Sequence, residues 1–213
     1  MSGDYSRKRF NPEKHYQGVL RQQGRVDLDA DWNEYVDLQD RRWRAETIDV
    51  VGRSGVPDET PDGFKIAVSG GELTVGQGRM YVDGYVAENH GTAPAFEPTL
   101  EEGYGTAALP VKNQPYGGPV TVPAQVRSLV YLDVWRREVT HLQAPDLIEP
   151  AVNVDSTTRY QTAWQVRVLA NIPPDITCDT PLSDIPGWPT GNRSSSARLT
   201  STTVAVTTEP DPC

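Results

Sequence analysis

The dipeptide Asp83-Gly84, set between two short apolar runs, constrains the fold of this chain more than any other feature of its sequence. RMYV precedes it at 79–82, and YVAE follows it at 85–88. A two-residue type I′ turn needs positive φ at both central positions, and Asp-Gly is one of the few pairs that accept this. The pattern therefore predicts an antiparallel hairpin.

Other stretches predict further strands. FKIAVS at 64–69 and ELTV at 72–75 lie on either side of a Gly-Gly pair and extend the hairpin into a four-stranded β-meander. VRSLVYLDVWRREV at 126–139 contains an apolar run that predicts burial on both faces. In YQTAWQVRVL at 160–169, alternation predicts one shared face. That face comprises Tyr160, Thr162, Trp164, Val166 and Val168.

One segment, 31–51, predicts a helix. Asp31 and Glu34 have the spacing of a capping box at its start, and Gly52 is suited to end it. The Gly-, Pro-, Thr- and Glu-rich stretch 89–125 predicts a long surface excursion.

These elements predict a β-rich α+β protein. An N-terminal extended arm and one long helix are followed by an antiparallel meander that forms a small sheet or barrel, and by an irregular C-terminal tail. The predicted divisions are a docking arm and helix at 1–56, a β-rich domain at 57–171, and a Pro/Ser/Thr-rich tail or linker at 172–213. The tail ends like an interrupted linker, which predicts a further C-terminal region.

Composition limits the classes of function. The 213-residue chain has a net charge of −9, which disfavours binding to nucleic acid or to anionic membranes. No apolar run reaches the roughly 20 residues of a membrane span, and the N-terminus lacks the apolar core of a signal peptide. We therefore expect synthesis in a cytoplasm, and reduced thiols at Cys178 and Cys213.

The acidic residues Asp27, Asp29 and Asp31 suggest a calcium loop. Such a loop needs Gly at its sixth position and a bidentate Glu at its twelfth, where this chain has Trp32 and Leu38. The sequence therefore predicts no metal site. Because first-turn carboxylates also suit the helix dipole, we expect them to serve the start of the helix.

Catalytic motifs are also missing from the sequence. The three histidines are far apart, and no nucleophile, zinc or phosphate-loop pattern occurs. We predict no catalytic residue and no cofactor. A hydrolase that uses Asp29, Asp31 or Glu34 is the weakest alternative. It is considered because Asp31 and Glu34, three residues apart, share a helix face and could form a carboxylate pair.

The aromatic residues of the first 43 positions point to docking. Trp32 and Trp43 are eleven residues apart, about three helical turns, so they lie on one side of the helix. They must be buried either against the chain's own sheet or in a seam between subunits. The upstream arm favours the seam, because its scattered apolar residues need a partner surface to become ordered. The predicted docking residues are Phe10, Tyr16, Leu20, Arg25, Val26, Leu28, Trp32, Tyr35 and Trp43.

Several blocks resemble a known family. They are GDYSRKRFNPEKHYQGVLRQQGRVDLDADWNE at 3–34, GRMYVDGYVAEN at 78–89, LVYLDVWRREVTHL at 129–142 and YQTAWQVR at 160–167. They resemble an uncharacterised domain family encoded in gene clusters for extracellular contractile injection systems, which are phage-tail-like particles. The segment Gln23-Gly24-Arg25 and the following helix are also distantly similar to phage baseplate and fibre-attachment proteins.

The resemblance implies a structural role without catalytic residues. The expected function is a baseplate-associated subunit, or a distal subunit that links a cage or fibre, docked through its N-terminal arm and helix. Expected partners are other subunits of the particle in multiple symmetric copies, with no nucleic acid and no membrane insertion. Assembly would take place in the bacterial cytoplasm, before the particle acts in the cytosol or is released. A carbohydrate- or cell-wall-binding module is the alternative.

Overall fold

The computed structural model describes residues 3–69, 72–92, 107–120, 123, 126–177, 180–188, 195–203 and 211–212. One α-helix, α1 (Asp29–Val51), follows the N-terminal arm in this part of the chain. The strands are β1 (Ser54–Gly55), β2 (Ile66–Ser69), β3 (Glu72–Val75), β4 (Gly78–Val82), β5 (Tyr85–Asn89), β6 (Leu109–Pro110), β7 (Arg127–Val139), β8 (Ile148–Glu149), β9 (Val154–Asp155), β10 (Arg159–Ala170), β11 (Ser195–Thr203) and β12 (Asp211–Pro212). The predicted β-rich α+β class is confirmed, and the described strands form small sheets without a closed barrel.

The helix α1 begins two residues before the predicted position. Leu28 is its N-cap, in extended backbone and without a side-chain capping bond. The predicted cap formed by Asp31 and Glu34 is therefore wrong, because both residues lie inside the helix and Asp31 pairs with Arg9. The predicted end is confirmed: Gly52 has φ of 93°, and its N–H donates to the Ile48 carbonyl at 3.0 Å.

The Asp83-Gly84 hairpin is confirmed. β4 pairs antiparallel with β5, and φ is 46° at Asp83 and 78° at Gly84, as a type I′ turn requires. The continuous meander is wrong, because β1-β4-β5 and β2-β3-β6 are separate sheets. The chain leaves β3 at Gly76, where a Cβ atom would lie 2.1 Å from the Asp62 carbonyl oxygen. Gly76 therefore lies against the Asp62 backbone, at the point where a continuous meander would instead turn directly into β4.

Contacts group the described chain into two units. The helical unit comprises 1–52 and 136–161, and the β unit comprises 53–135 and 162–213. This grouping differs from the predicted divisions at 1–56, 57–171 and 172–213. The reason is that residues of 136–161 bond to the arm and to α1, for example Glu138 to Tyr5 and Arg136 to Asp40.

The core of the β unit lies among β2–β5, β7 and β10. Trp164 meets Phe64 edge to face, with ring centres 5.0 Å apart, and its Nε1–H donates to the Glu88 carbonyl at 2.6 Å. Asn89 is buried at the end of β5, and its Nδ2–H group donates to the carbonyls of Val75 and Gly76. Since Val75 belongs to β3, this amide joins the two small sheets, and buried polar groups need such partners.

The C-terminal segment adds more to this unit than its composition predicts. Ile172, Ile176 and Ile185 form a buried cluster with Leu129 of β7. β11 pairs antiparallel with β7, with Ala197 opposite Leu132. Isolated isoleucines between prolines have no periodicity, so the sequence could not reveal them.

The predicted surface excursion 89–125 is wrong in part. Val111 and Gln114 are buried, and the Gln114 side chain bonds both the N–H and the C=O of Val166 in β10. Residues 93–106 of the excursion and the two cysteines lie outside the described residues.

Truncation of the core indole should destabilise the β unit strongly. We expect Trp164→Ala to lower the free energy of unfolding by about 3–5 kcal/mol, because it leaves a cavity and removes the bond to Glu88. Urea denaturation checks this value. Val86→Ala, at an exposed valine of β5, is the control and should cost less than about 1 kcal/mol. Equal losses in the two variants would contradict the described core.

Candidate functional site

The helical unit buries little of its apolar surface. Of the 23 buried hydrophobic residues in the described chain, only Ala30, Leu38 and Val139 belong to it. Of the 15 exposed large hydrophobic residues, 13 belong to it. Trp32 and Trp43 are 62% and 65% exposed. Both indoles are therefore largely exposed in the described chain, and their burial in a seam between subunits stays a prediction.

Polar contacts hold the first part of the arm. The Gly3 N–H donates to Glu138 Oε1 at 2.7 Å, and the Tyr5 hydroxyl bonds the same carboxylate. The Tyr5 hydroxyl also lies 2.6 Å from Thr158 Oγ1. Residues 3–5 are therefore fixed by the strand ends of their own unit.

The next residues are fixed by the first turn of α1. The Ser6 N–H and hydroxyl donate to the two oxygens of Asp29 at 2.8 and 2.6 Å. The Arg9 guanidinium pairs with Asp31. The expectation that the arm needs a partner to become ordered is therefore wrong for residues 3–9, because three carboxylates of the same chain bind it.

The pKa values follow these contacts. The hydrogen bonds from Ser6 lower the pKa of Asp29. Burial acts to raise the pKa of Glu138, but the bonds from Tyr5 and Gly3 outweigh burial, and the pKa is lowered. Burial and the neighbouring Glu138 raise the pKa of the Tyr5 hydroxyl. Ionised carboxylates and a neutral phenol are thus the forms that hold the arm.

An open groove lies between the later part of the arm and α1. It has a volume of about 790 Å³. Its apolar lining is Val19, Leu20, Val26, Leu28, Trp32 and Tyr35, and its charged lining is Arg9, Arg21, Arg25, Asp27 and Asp31. We call this feature the arm groove. Leu20 is 91% exposed and Val26 is 83% exposed, so the lining faces solvent.

A second hollow, of about 550 Å³, lies farther along α1. Arg136 pairs with Asp40 at 2.7 Å and stacks over the Tyr160 ring at 4.2 Å. Burial raises the pKa of Asp37, while Arg136 opposes the rise. Phe10 also lines this hollow and is half-buried. The contacts between Arg136, Asp40 and Tyr160 connect α1 to the 136–161 segment.

The arm groove gathers six of the nine predicted docking residues. They are Leu20, Arg25, Val26, Leu28, Trp32 and Tyr35. Phe10 lies in the second hollow, Tyr16 is exposed upstream of the groove, and Trp43 is exposed farther along α1. The docking role of all nine stays a prediction.

The predicted docking residues do not include Val19, and the sequence did not reveal Glu138 and Thr158. Val19 lines the groove, while Glu138 and Thr158 anchor the arm. Glu138 is 135 residues from Gly3, and no local pattern connects positions so far apart. The one sequence signal that connects Glu138 with the arm is that the blocks 3–34 and 129–142 both resemble the same family.

Within the described residues, no group of three or more His, Cys, Asp or Glu side chains has the geometry of a metal site. The described part of the chain also contains no helix that is both long and apolar enough to span a membrane.

These features define a β-rich α+β protein whose N-terminal arm is bound to its single described α-helix by carboxylates and leaves an open apolar groove beside it. The chain belongs to the family described as "Family of unknown function (DUF6519)", which matches residues 1–185. No curated protein and no solved structure matches the chain significantly.

The bond between Ser6 and Asp29 can be tested by titration. In Ser6→Ala, the pKa of Asp29 should rise towards the ordinary carboxyl value of about 3.9, because the hydroxyl donor is lost. NMR of the carboxyl carbon measures this value, with Ser54→Ala as the control. An unchanged Asp29 pKa in Ser6→Ala would contradict the contact.

Acid should release the arm. Asp29 and Glu138 have lowered pKa values when folded, so their contribution is present above the unfolded pKa and is lost as pH falls through the folded value. We therefore expect the protection factors of the amides of residues 3–9, corrected for the intrinsic exchange rate at each pH, to fall below about pH 4, before the β-unit core unfolds. Simultaneous loss of protection in both regions would contradict separate tethering.

Proposed function

We propose that this chain is a structural subunit that docks into a larger protein assembly through the arm groove. The observation that supports the proposal is the exposed apolar lining of that groove, which follows an arm segment, residues 3–9, that is fixed by Ser6–Asp29 and Arg9–Asp31. A preorganised site loses less conformational freedom on binding than a flexible one. Fixing residues 3–9, which include Arg9 of the groove lining, therefore lowers part of that loss.

Burial of the groove's apolar side chains would contribute free energy to docking. Burying a large apolar side chain is worth roughly 1.5–3 kcal/mol, and the groove offers Leu20, Val26 and Trp32. Tryptophan and arginine are enriched among the residues that dominate interfaces, and Trp32 and Arg25 both line this groove.

The sequence resemblance directs the proposal to a contractile, phage-tail-like particle. There the chain would be a baseplate-associated subunit, or a distal subunit that links a cage or fibre, present in several symmetric copies. We propose that the particle is assembled in the bacterial cytoplasm and then acts in the cytosol or is released. In this role the chain has no catalytic residue, metal or cofactor.

Occupancy of purified particles tests the proposal. The variant Leu20→Asp/Trp32→Ala should be present in the soluble fraction with an unchanged melting temperature but be depleted at least tenfold from particles, because its groove can no longer bury apolar surface. Val50→Asp, at another exposed residue of the helical unit, is the control and should be incorporated normally. Normal incorporation of the groove variant would reject the docking role.

Trp43 allows a separate test of the second predicted indole. It lies outside the arm groove, so Trp43→Ala should lower particle occupancy less than the groove variant. Equal depletion would show that the contact extends along the length of α1.

A carbohydrate- or cell-wall-binding module is a second candidate. The rings of Trp32 and Tyr35 are exposed in an open groove, with their centres 6.1 Å apart and their planes at 44°. Exposed aromatic faces suit the stacking of sugar rings. Sedimentation of the chain with peptidoglycan or common polysaccharides, lost in Trp32→Ala, would favour the module over the structural role.

The hydrolase hypothesis has a weaker physical basis. Asp29 and Asp31 are engaged by Ser6 and Arg9, so they would first have to release the arm. Substitution of Asp29, Asp31 and Glu34 by Asn or Gln, each assayed on the same polysaccharides, tests this alternative.

A further inference from the structure

A second exposed apolar feature of the helical unit also carries acidic side chains. We call residues 141–155 the acidic hairpin; in it β8 pairs antiparallel with β9. The segment contains Asp146, Glu149 and Asp155 and no Lys or Arg. Its exposed large apolar residues are Leu142 at 72%, Val152 at 61% and Val154 at 57%. A solvent-exposed apolar hairpin of one charge sign suits a basic, apolar partner.

The conformation of the acidic hairpin is well defined. The N–H groups of Val152 and Asn153 both donate to the Glu149 carbonyl, which closes the turn between β8 and β9. His141 Nδ1 lies 2.7 Å from Asp155 Oδ2 and joins the two ends of the segment. A two-stranded hairpin is only marginally stable alone, so a covering surface would stabilise it.

The arm has the opposite charge. Residues 1–25 contain six Lys or Arg and two Asp or Glu, a net charge of +4, although the whole chain carries −9. In the groove, Arg21 pairs with Asp27 at 3.3 Å and Arg9 pairs with Asp31. Arg25 lines the groove without an ion pair among the described residues. The groove can therefore accept a carboxylate as well as apolar side chains.

We propose that the acidic hairpin of one copy of this chain docks into the arm groove of a second copy. The inference rests on the proposed structural function and names the partner of the same groove. Leu142, Val152 and Val154 would cover the apolar lining, and Asp146 or Glu149 would pair with Arg25. Apolar complementarity supplies the affinity, while the opposite charges set the orientation.

The contact joins two different surfaces, since no residue of 141–155 lines the arm groove. A heterologous contact of this kind leaves one free groove and one free hairpin in every dimer. Addition of further copies then builds a closed ring or an open helical array. This property matches a subunit that is repeated around a particle axis.

Other partners are less well matched to the groove. The chain is acidic overall, so an anionic membrane would repel most of its surface. The arm groove is also concave, whereas a bilayer surface is flat on this scale. A different acidic protein would need the same combination of apolar side chains and carboxylates that the hairpin already presents.

Sedimentation velocity of the full chain over a range of concentrations gives the first test. The wild-type chain should form dimers and larger species, and association should be roughly tenfold weaker in high salt, because the opposite charges are screened. A wild-type chain that stays monomeric at every concentration would overturn the proposal.

Complementation between variants gives the second test. The second groove variant is Leu20→Asp/Val26→Asp, and the hairpin variant is Val152→Asp/Val154→Asp. Both alter exposed side chains, and each variant alone should be monomeric. Mixed together, they should form a one-to-one dimer that grows no further, because only one intact pair of surfaces remains. Val50→Asp is the control and should associate like the wild type.

Three outcomes would overturn the inference. They are a hairpin variant that associates like the wild type, a mixture that stays monomeric, and wild-type binding to vesicles of equal parts phosphatidylcholine and phosphatidylserine in place of self-association. The proposed function is judged separately. If the hairpin variant enters particles normally and the second groove variant does not, the groove docks a different subunit, and only the self-contact is rejected.

Discussion

The arm of this protein is held by three carboxylates, and the shape of the helical unit depends on them. Glu138 binds Gly3 and Tyr5, Asp29 binds Ser6, and Asp31 binds Arg9. These polar bonds fix residues 3–9 of the arm. The arm groove stands open at the first turns of α1, with Leu20 and Trp32 exposed. Charge fixes the position of the arm, and apolar surface remains for a partner.

The two units differ in how much apolar surface they bury. The β unit buries Val75, Val82, Leu132 and Val166 completely and has a core of its own. The helical unit has no comparable cluster among its described residues, and 13 of its large apolar side chains are exposed. Since burial of apolar surface is the main stabilising term in folding and in association, a unit of this kind gains most from binding. The proposed structural function and the proposed self-contact both rest on this imbalance.

Local chemistry explains what the sequence could predict. The Asp83-Gly84 turn, the β7 and β10 strands, and the end of α1 at Gly52 depend on neighbouring residues, and all were found. Six predicted docking residues line one groove for the same reason, because they lie within sixteen positions of one another, and their docking role stays a prediction. The anchors Glu138 and Thr158, the split of the meander, and the buried isoleucines of the C-terminal segment depend on contacts between distant positions. No local pattern carries such information.

Hydroxyl-radical footprinting measures directly whether the arm groove is covered in the assembly. Oxidation of Leu20 and Trp32 would be compared between the isolated chain at low concentration and the chain in its purified assembly, with exposed Val86 of the β unit as an internal reference. Oxidation of Leu20 and Trp32 should fall several-fold in the assembly, while that of Val86 should change little. Equal oxidation of Leu20 and Trp32 in the two states would contradict docking through the arm groove, because the groove would then remain open where it is expected to be covered.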